Sequence, residues 1–314
     1  AAAADPGGIS MRRHIVNLVL LFLIGAVAAL VWMRKEAPEP PPEPLLAEST
    51  ESIQRVGFRI PGGETVMAAR KNDGWRLTEP VSAPADNGVI NSLLAAARAP
   101  VTDRIPAGEV DLSQMGFDQP ERYMRFDDVE IAFGAINPVT KKRYVLMGDK
   151  VLQIRDPAGA SSYHSHIKLV HKDVVPPGRK LVRVERPDWT LERDGDGWRA
   201  QRNGAAAEPV STERAVAAGE AWTVARAMWT GEPNRDPETE SESVVLHFAE
   251  GDAVELRAIR GQQLLLQRAD FAVQYHVARN LTGLLLDLDA PPENAAEGGQ
   301  SEPPGEGIMA PAGH

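Results

Sequence analysis

One run of the chain is apolar on every side. Ile15–Met33 reads IVNLVLLFLIGAVAALVWM, nineteen residues with one polar side chain, Asn17, and no charge. At the helical rise it reaches about 28 Å, close to the roughly 30 Å of a bilayer's hydrocarbon core. Arg12, Arg13 and His14 precede it, Arg34 and Lys35 follow, and Trp32 takes the place of an interfacial aromatic. The run exceeds the apolar stretch of a signal peptide, and no small-residue cleavage site precedes Arg34. It predicts an uncleaved transmembrane helix over residues 15–33, behind a short basic N-terminus, residues 1–14, that stays in the cytoplasm.

The pattern then turns polar. Residues 34–52 form a Pro/Glu-rich linker; Glu36–Ser52 is EAPEPPPEPLLAESTES, a composition that favours polyproline II and predicts a semi-rigid acidic spacer. At the other end, residues 290–314 are rich in Pro, Gly and Glu and lack apolar periodicity, as in a disordered acidic tail.

Between linker and tail the same order of signals occurs twice. Gly74-Trp75-Arg76 and Gly197-Trp198-Arg199 each follow an Asp at a turn, and each is followed by a Pro-Val pair, Pro80-Val81 and Pro209-Val210. A helical period comes next. Asp86 or Asn87 can cap the first helix, with Val89, Ile90, Leu93, Leu94 and Ala97 on one face. Ser211 or Thr212 can cap the second, where Ala218, Trp222, Ala225 and Trp229 share a face. Alternating apolar residues then predict two hairpins in each half. They cover Tyr123–Phe133 and Arg143–Ile154 in one, Val244–Ile259 and Leu264–Val277 in the other. Each half closes on an apolar run, Ile167–Val175 or Leu281–Leu288. The fold class is therefore α+β: one N-terminal transmembrane helix, then two tandem, similar modules over residues 53–178 and 179–289, each an antiparallel sheet with a packed helix.

Composition narrows the chemistry. A net charge of -10 argues against nucleic acid as a partner, because an acidic surface repels phosphate. Cysteine is absent, which removes disulfides, thiolate metal sites and a cysteine nucleophile. His164, His166 and His171, in SYHSHIKLVH, are candidate metal ligands, the first two at a spacing that shares one face of a strand. Ser161, Ser162 and Ser165 lie near them without a nucleophile-elbow motif. Asp127-Asp128 and Asp194/Asp196 fit hairpin turns better than paired carboxylates. Trp75 and Trp198 read as equivalent core anchors rather than a sugar-stacking pair. No motif calls for a cofactor or assigns a catalytic residue, so a non-enzymatic role is expected.

The segments GWRLTEPVSAPADNGVINSLL, GFDQP (Gly116–Pro120) and RYVLMGDKVLQI (Arg143–Ile154) resemble the bacterial domain-of-unknown-function family 4340. The likeness extends over most of Ile53–Asp289 and is clearer in the first module. It implies a single-pass protein of the bacterial inner membrane with its C-terminal domain in the periplasm. Such proteins are often encoded beside an ABC-type permease, its ATPase and a gliding-motility-type auxiliary subunit. The expected function is then an extracytoplasmic accessory or scaffold component of such a complex, in contact with lipid through residues 15–33. The alternative is a periplasmic module that holds a lipid, glycan or metal between its two repeats.

Overall fold

The computed structural model describes residues 7–33, 42–72, 74–155, 163–204 and 209–288. Arg34, Lys35, most of the spacer, Asp73, Ser161, Ser162 and the tail lie outside the described residues. Residues 1–42 and 43–314 are separate units. The first holds α1, Gly7–Met33, a single 27-residue helix. The side chains described on it are His14 and residues 16–29, and all of them are exposed. Among the described residues, no helix is long and apolar enough to cross a membrane.

In the second unit, alternation of apolar and polar residues produces strands that bury one face. The first half contains β1 (Arg55–Arg59), β2 (Thr65–Lys71), β3 (Gly74–Glu79), β4 (Ala83–Pro84), α2 (Asn87–Ala97), β5 (Val101–Pro106), β6 (Arg122–Phe126), β7 (Val129–Ile136), β8 (Arg143–Met147) and β9 (Lys150–Ile154). The second contains β10 (Leu181–Glu185), β11 (Trp189–Asp194), β12 (Gly197–Arg202), α3 (Thr212–Thr223), β13 (Ala227–Gly231), β14 (Glu242–Phe248), β15 (Ala253–Ile259), β16 (Leu264–Arg268), β17 (Val273–Val277) and α4 (Leu281–Leu286).

The sheets run β4-β3-β2-β1-β6-β7-β8-β9-β5 and β12-β11-β10-β14-β15-β16-β17-β13. Apart from the two-residue β4, the orders coincide element for element. In each half the chain makes a three-strand meander, crosses by a helix to the far edge, jumps back to the middle beside the first strand, and runs outward through four strands until the last pairs with the far-edge strand. The strands paired as hairpins in the sequence are paired here, Tyr123 opposite Ala132 and Val244 opposite Leu256. Both helices start at a residue expected to cap them. Asp86 accepts from the amides of Gly88 and Val89, and Ser211 from that of Arg214. α2 packs on β1 and β3, and α3 on β11 and β12.

Two details depart from the sequence reading. Glu43–Leu46, read as spacer, is part of the domain: Leu45 is buried, and the amides of Leu45 and Leu46 donate to Ala99 and Ala97 at 2.9 Å. The adjacent leucines of EPLLAE supply an apolar foothold that the neighbouring prolines disguise. Second, α3 ends at Thr223, so Trp222 and Trp229 do not share a helix face; Trp229 lies on β13. A single apolar core runs through both halves.

Residues 166–175 join them. The Leu169 carbonyl accepts from Asp86 at 2.7 Å, and the His171 amide donates to Pro84 at 2.9 Å, on the first sheet's edge. A few residues on, the Lys172 carbonyl accepts from Ala227 and the Val174 amide donates to Ala225, both at 2.9 Å, on the second sheet's edge. The connecting segment is thus stitched to β4 on one side and to β13 on the other.

Candidate functional site

The histidine segment is where this stitching begins. His166 does not lie on a strand but opens a 3-10 turn, His166–Leu169, so the shared-face geometry expected for His164 and His166 does not arise. His166 is buried; its Nδ1 is 2.7 Å from Glu64 Oε1 and its Nε2 is 3.0 Å from the Phe271 carbonyl oxygen. Its amide donates to Glu64 Oε2 at 2.6 Å. Both ring partners are acceptors, so a neutral imidazole donates to one of them and an imidazolium to both. His171 takes a different partner, its Nδ1 accepting from the Asp173 amide at 3.2 Å. His164 is exposed. The three histidines are not brought together, and among the described residues no three His, Cys, Asp or Glu side chains converge as a metal site. Ser165 precedes the turn without capping it.

The other candidates settle into structural work. Trp75 and Trp198 occupy the second position of β3 and β12 and are buried. Each lies under a guanidinium from the neighbouring strand, Arg70 at 4.9 Å and Arg193 at 4.7 Å from the ring centre. Asp127-Asp128 forms the two-residue β6–β7 turn, where the Asp127 carboxylate accepts from the amides of Gln54 and Arg55. Asp194 ends β11 and pairs with Arg199, and Asp196 stands in the turn before β12. The GFDQP turn packs against β7 at Gly134, where a Cβ would overlap the Met115 carbonyl. Arg143 of the RYV strand, itself buried, donates to Glu121 at 2.7 Å and to the Gly134 carbonyl at 2.8 Å, closing the loop over the sheet.

The site that sequence reasoning missed is a cleft of about 350 Å³ where the two halves meet. Its walls include Trp75, Arg76 and Asn87 from the first half, Arg179 from the connection, and Asp252 and Arg268 from the second. Arg179 donates to Glu250 at 3.0 Å and also pairs with Asp252; hydrogen bonds from this guanidinium hold both carboxyls below the usual range. Arg268 is buried over the Phe271 ring and grips Asp270 with two bonds, of 3.0 and 2.7 Å. Burial pushes the Tyr275 phenol up to about 12, against the opposing pull of Arg268. Arg76 is half-buried, and its guanidinium has no ion pair or hydrogen bond among the described residues. No local spacing could have announced this set, because its members come from β3, the connection and β16.

A second cluster lies on the β13 edge. Trp229 stacks on His276 with ring centres 4.9 Å apart, and Gln263 and Gln274 bond the two imidazole nitrogens at 2.7 and 3.1 Å. Burial, followed by the charge of Lys168, pushes the His276 imidazole below its ordinary value.

A family model described as a domain of unknown function (DUF4340) matches residues 75–227. Residues 75–227 are a DUF4340 domain. The match starts at the first GWR tryptophan and ends at the opening residue of β13, so DUF4340 takes in α2, the stitching segment, the second GWR and α3. No curated protein and no solved structure matches the chain.

Proposed function

We propose that this DUF4340 protein is a membrane-tethered, non-enzymatic accessory component of a bacterial envelope complex, held on the periplasmic face of the inner membrane. The observation that carries the reading is α1. Its large apolar side chains from Val16 to Val27 are 55–77% exposed, and Asn17 is the one polar residue in 16–29. A helix apolar on all sides needs lipid or a large core around it. Residues 16–29 alone reach about 21 Å, and the flanking apolar residues in Ile15–Met33 bring the length to that of a bilayer core. Arg12, Arg13 and His14 stand on the N-terminal side of the apolar run, the side this reading places in the cytoplasm.

The domain behind this tether offers a surface rather than reactive groups. Among the described residues, the displaced carboxyl groups are held by arginines or by a local turn, as in Asp111 with Ser113. An open groove of about 800 Å³, lined by Leu46, Val129 and Met147 with Arg104, Asp128 and Glu130 at its rim, lies beside the point where the spacer joins the domain. An apolar floor with a charged rim suits a protein partner, here an integral membrane complex of the ABC-permease and auxiliary-subunit kind.

Affinity purification of the full chain from native membranes in mild detergent tests this. Co-purification of an integral membrane partner is expected, and a chain lacking residues 1–33 should leave the membrane fraction. Recovery of the full chain alone, or from the soluble fraction, overturns the proposal. A second reading, a ligand held between the two halves, draws on the inter-half cleft.

A further inference from the structure

The walls of the inter-half cleft carry three arginines and two aspartates: Arg76, Arg179 and Arg268 against Asp252 and Asp270. The pairing is unequal. Asp252 is occupied by Arg179, which also holds Glu250, and Asp270 is occupied by both bonds from Arg268. His171 is turned to its own neighbour Asp173, 3.5 Å away, whose carboxylate also takes Arg226. Arg76 is left over, half-buried and with a guanidinium that makes no ion pair or hydrogen bond among the described residues. Asn87 and Ser82, an amide and a hydroxyl, share the cleft with it.

A guanidinium always carries its charge and presents a planar fork of donors. Held in a concave site, it is completed by a group offering two acceptor oxygens in that plane, a carboxylate or a phosphate. The volume is at the small end of ligand sites, which fits a small molecule rather than a lipid tail. Both wall aspartates are already engaged by arginines, which disfavours a metal ion.

We propose that the cleft binds a small carboxylate- or phosphate-bearing anion, with Arg76 supplying its charge partner and Asn87 and Ser82 its remaining hydrogen bonds. This rests on the second reading above and replaces its lipid, glycan or metal with an anion. Since the cleft is walled by both halves, such a ligand bridges them.

The test is isothermal titration calorimetry on the full chain in detergent, with sodium phosphate, citrate and maltose as probes. Saturable binding of phosphate or citrate is expected, weakened roughly tenfold or more by R76Q and partly restored in R76K. N87D places a carboxylate in the cleft at the favourable end of α2 and should weaken anion binding without unfolding the chain. It decides the matter if R76Q fails to fold. Anion binding that both R76Q and N87D leave unchanged overturns the proposal. Binding of maltose alone, unaffected by R76Q, overturns the anion but keeps a ligand between the halves. Binding of no probe overturns both.

Discussion

The Nε2 of His166 lies 3.0 Å from the carbonyl oxygen of Phe271, a bond between residues 105 apart in the chain. Its other ring nitrogen reaches Glu64, so one side chain ties the turn after β1 to the turn after β16. Replacing it removes the ring's contacts with Glu64 and with the buried Phe271 carbonyl, a cost of about 2–3 kcal/mol. H166A should lower the unfolding free energy measured in urea by that amount. H164A, at an exposed position, should cost less than H166A. Equal losses for the two variants would remove His166 from the interface.

Gly219 in α3 faces Trp198, and a Cβ there would overlap the indole ring. In an open helix, Gly→Ala gains about 1 kcal/mol from propensity. Overpacking a filled core costs about 1–3 kcal/mol. The second effect should win, so G219A is expected to melt at a lower temperature than the wild type. A rise in melting temperature would show that the ring and helix can separate.

Trp222 is fully buried and its Nε1 donates to the Leu285 carbonyl at 3.0 Å, while Trp229 is 43% exposed. W222A should cost about 3–5 kcal/mol in equilibrium unfolding, and W222F about 1–3 kcal/mol, because the buried Leu285 carbonyl loses its donor. W229A should cost less than about 1 kcal/mol. Similar costs for both alanine variants would restore the single helix face that their seven-residue spacing suggests.

Glu242 bridges Arg186 and Arg260. Burial pushes its carboxyl up, but the Arg260 hydrogen bond and the Arg186 charge outweigh it and hold the group below its ordinary 4.5. With the folded value depressed, the unfolded chain binds the proton first. The stabilisation is therefore complete above about 4.5 and is lost as the pH falls through the folded value. Melting temperatures measured from pH 6 down to pH 3 should fall more steeply for the wild type than for E242Q. Parallel curves would remove Glu242 from the acid response.

Local signals in this chain were legible and long-range ones were not. Asp86 and Ser211 cap as their neighbours demand, and the two GWR strands hold their tryptophans alike, because turns, caps and alternation act within a few residues. Trp229 misled because the backbone of Ala225 and Ala227 is claimed by Val174 and Lys172, which ends the helix early. His166 read as a ligand because its two acceptors are over a hundred residues away. The cleft arginines gave no signal, since arginine on a strand is ordinary until opposing carboxylates have been counted in space.

The segment sewn to both sheet edges has a consequence for how this protein can be divided. A chain severed after residue 178 would leave its N-terminal piece with Val174 and Val175 uncovered, and its C-terminal piece with the amide of Ala227 unanswered. Neither fragment closes on itself. Whatever ancestry made the two halves alike, they now mature, persist and are degraded as one object.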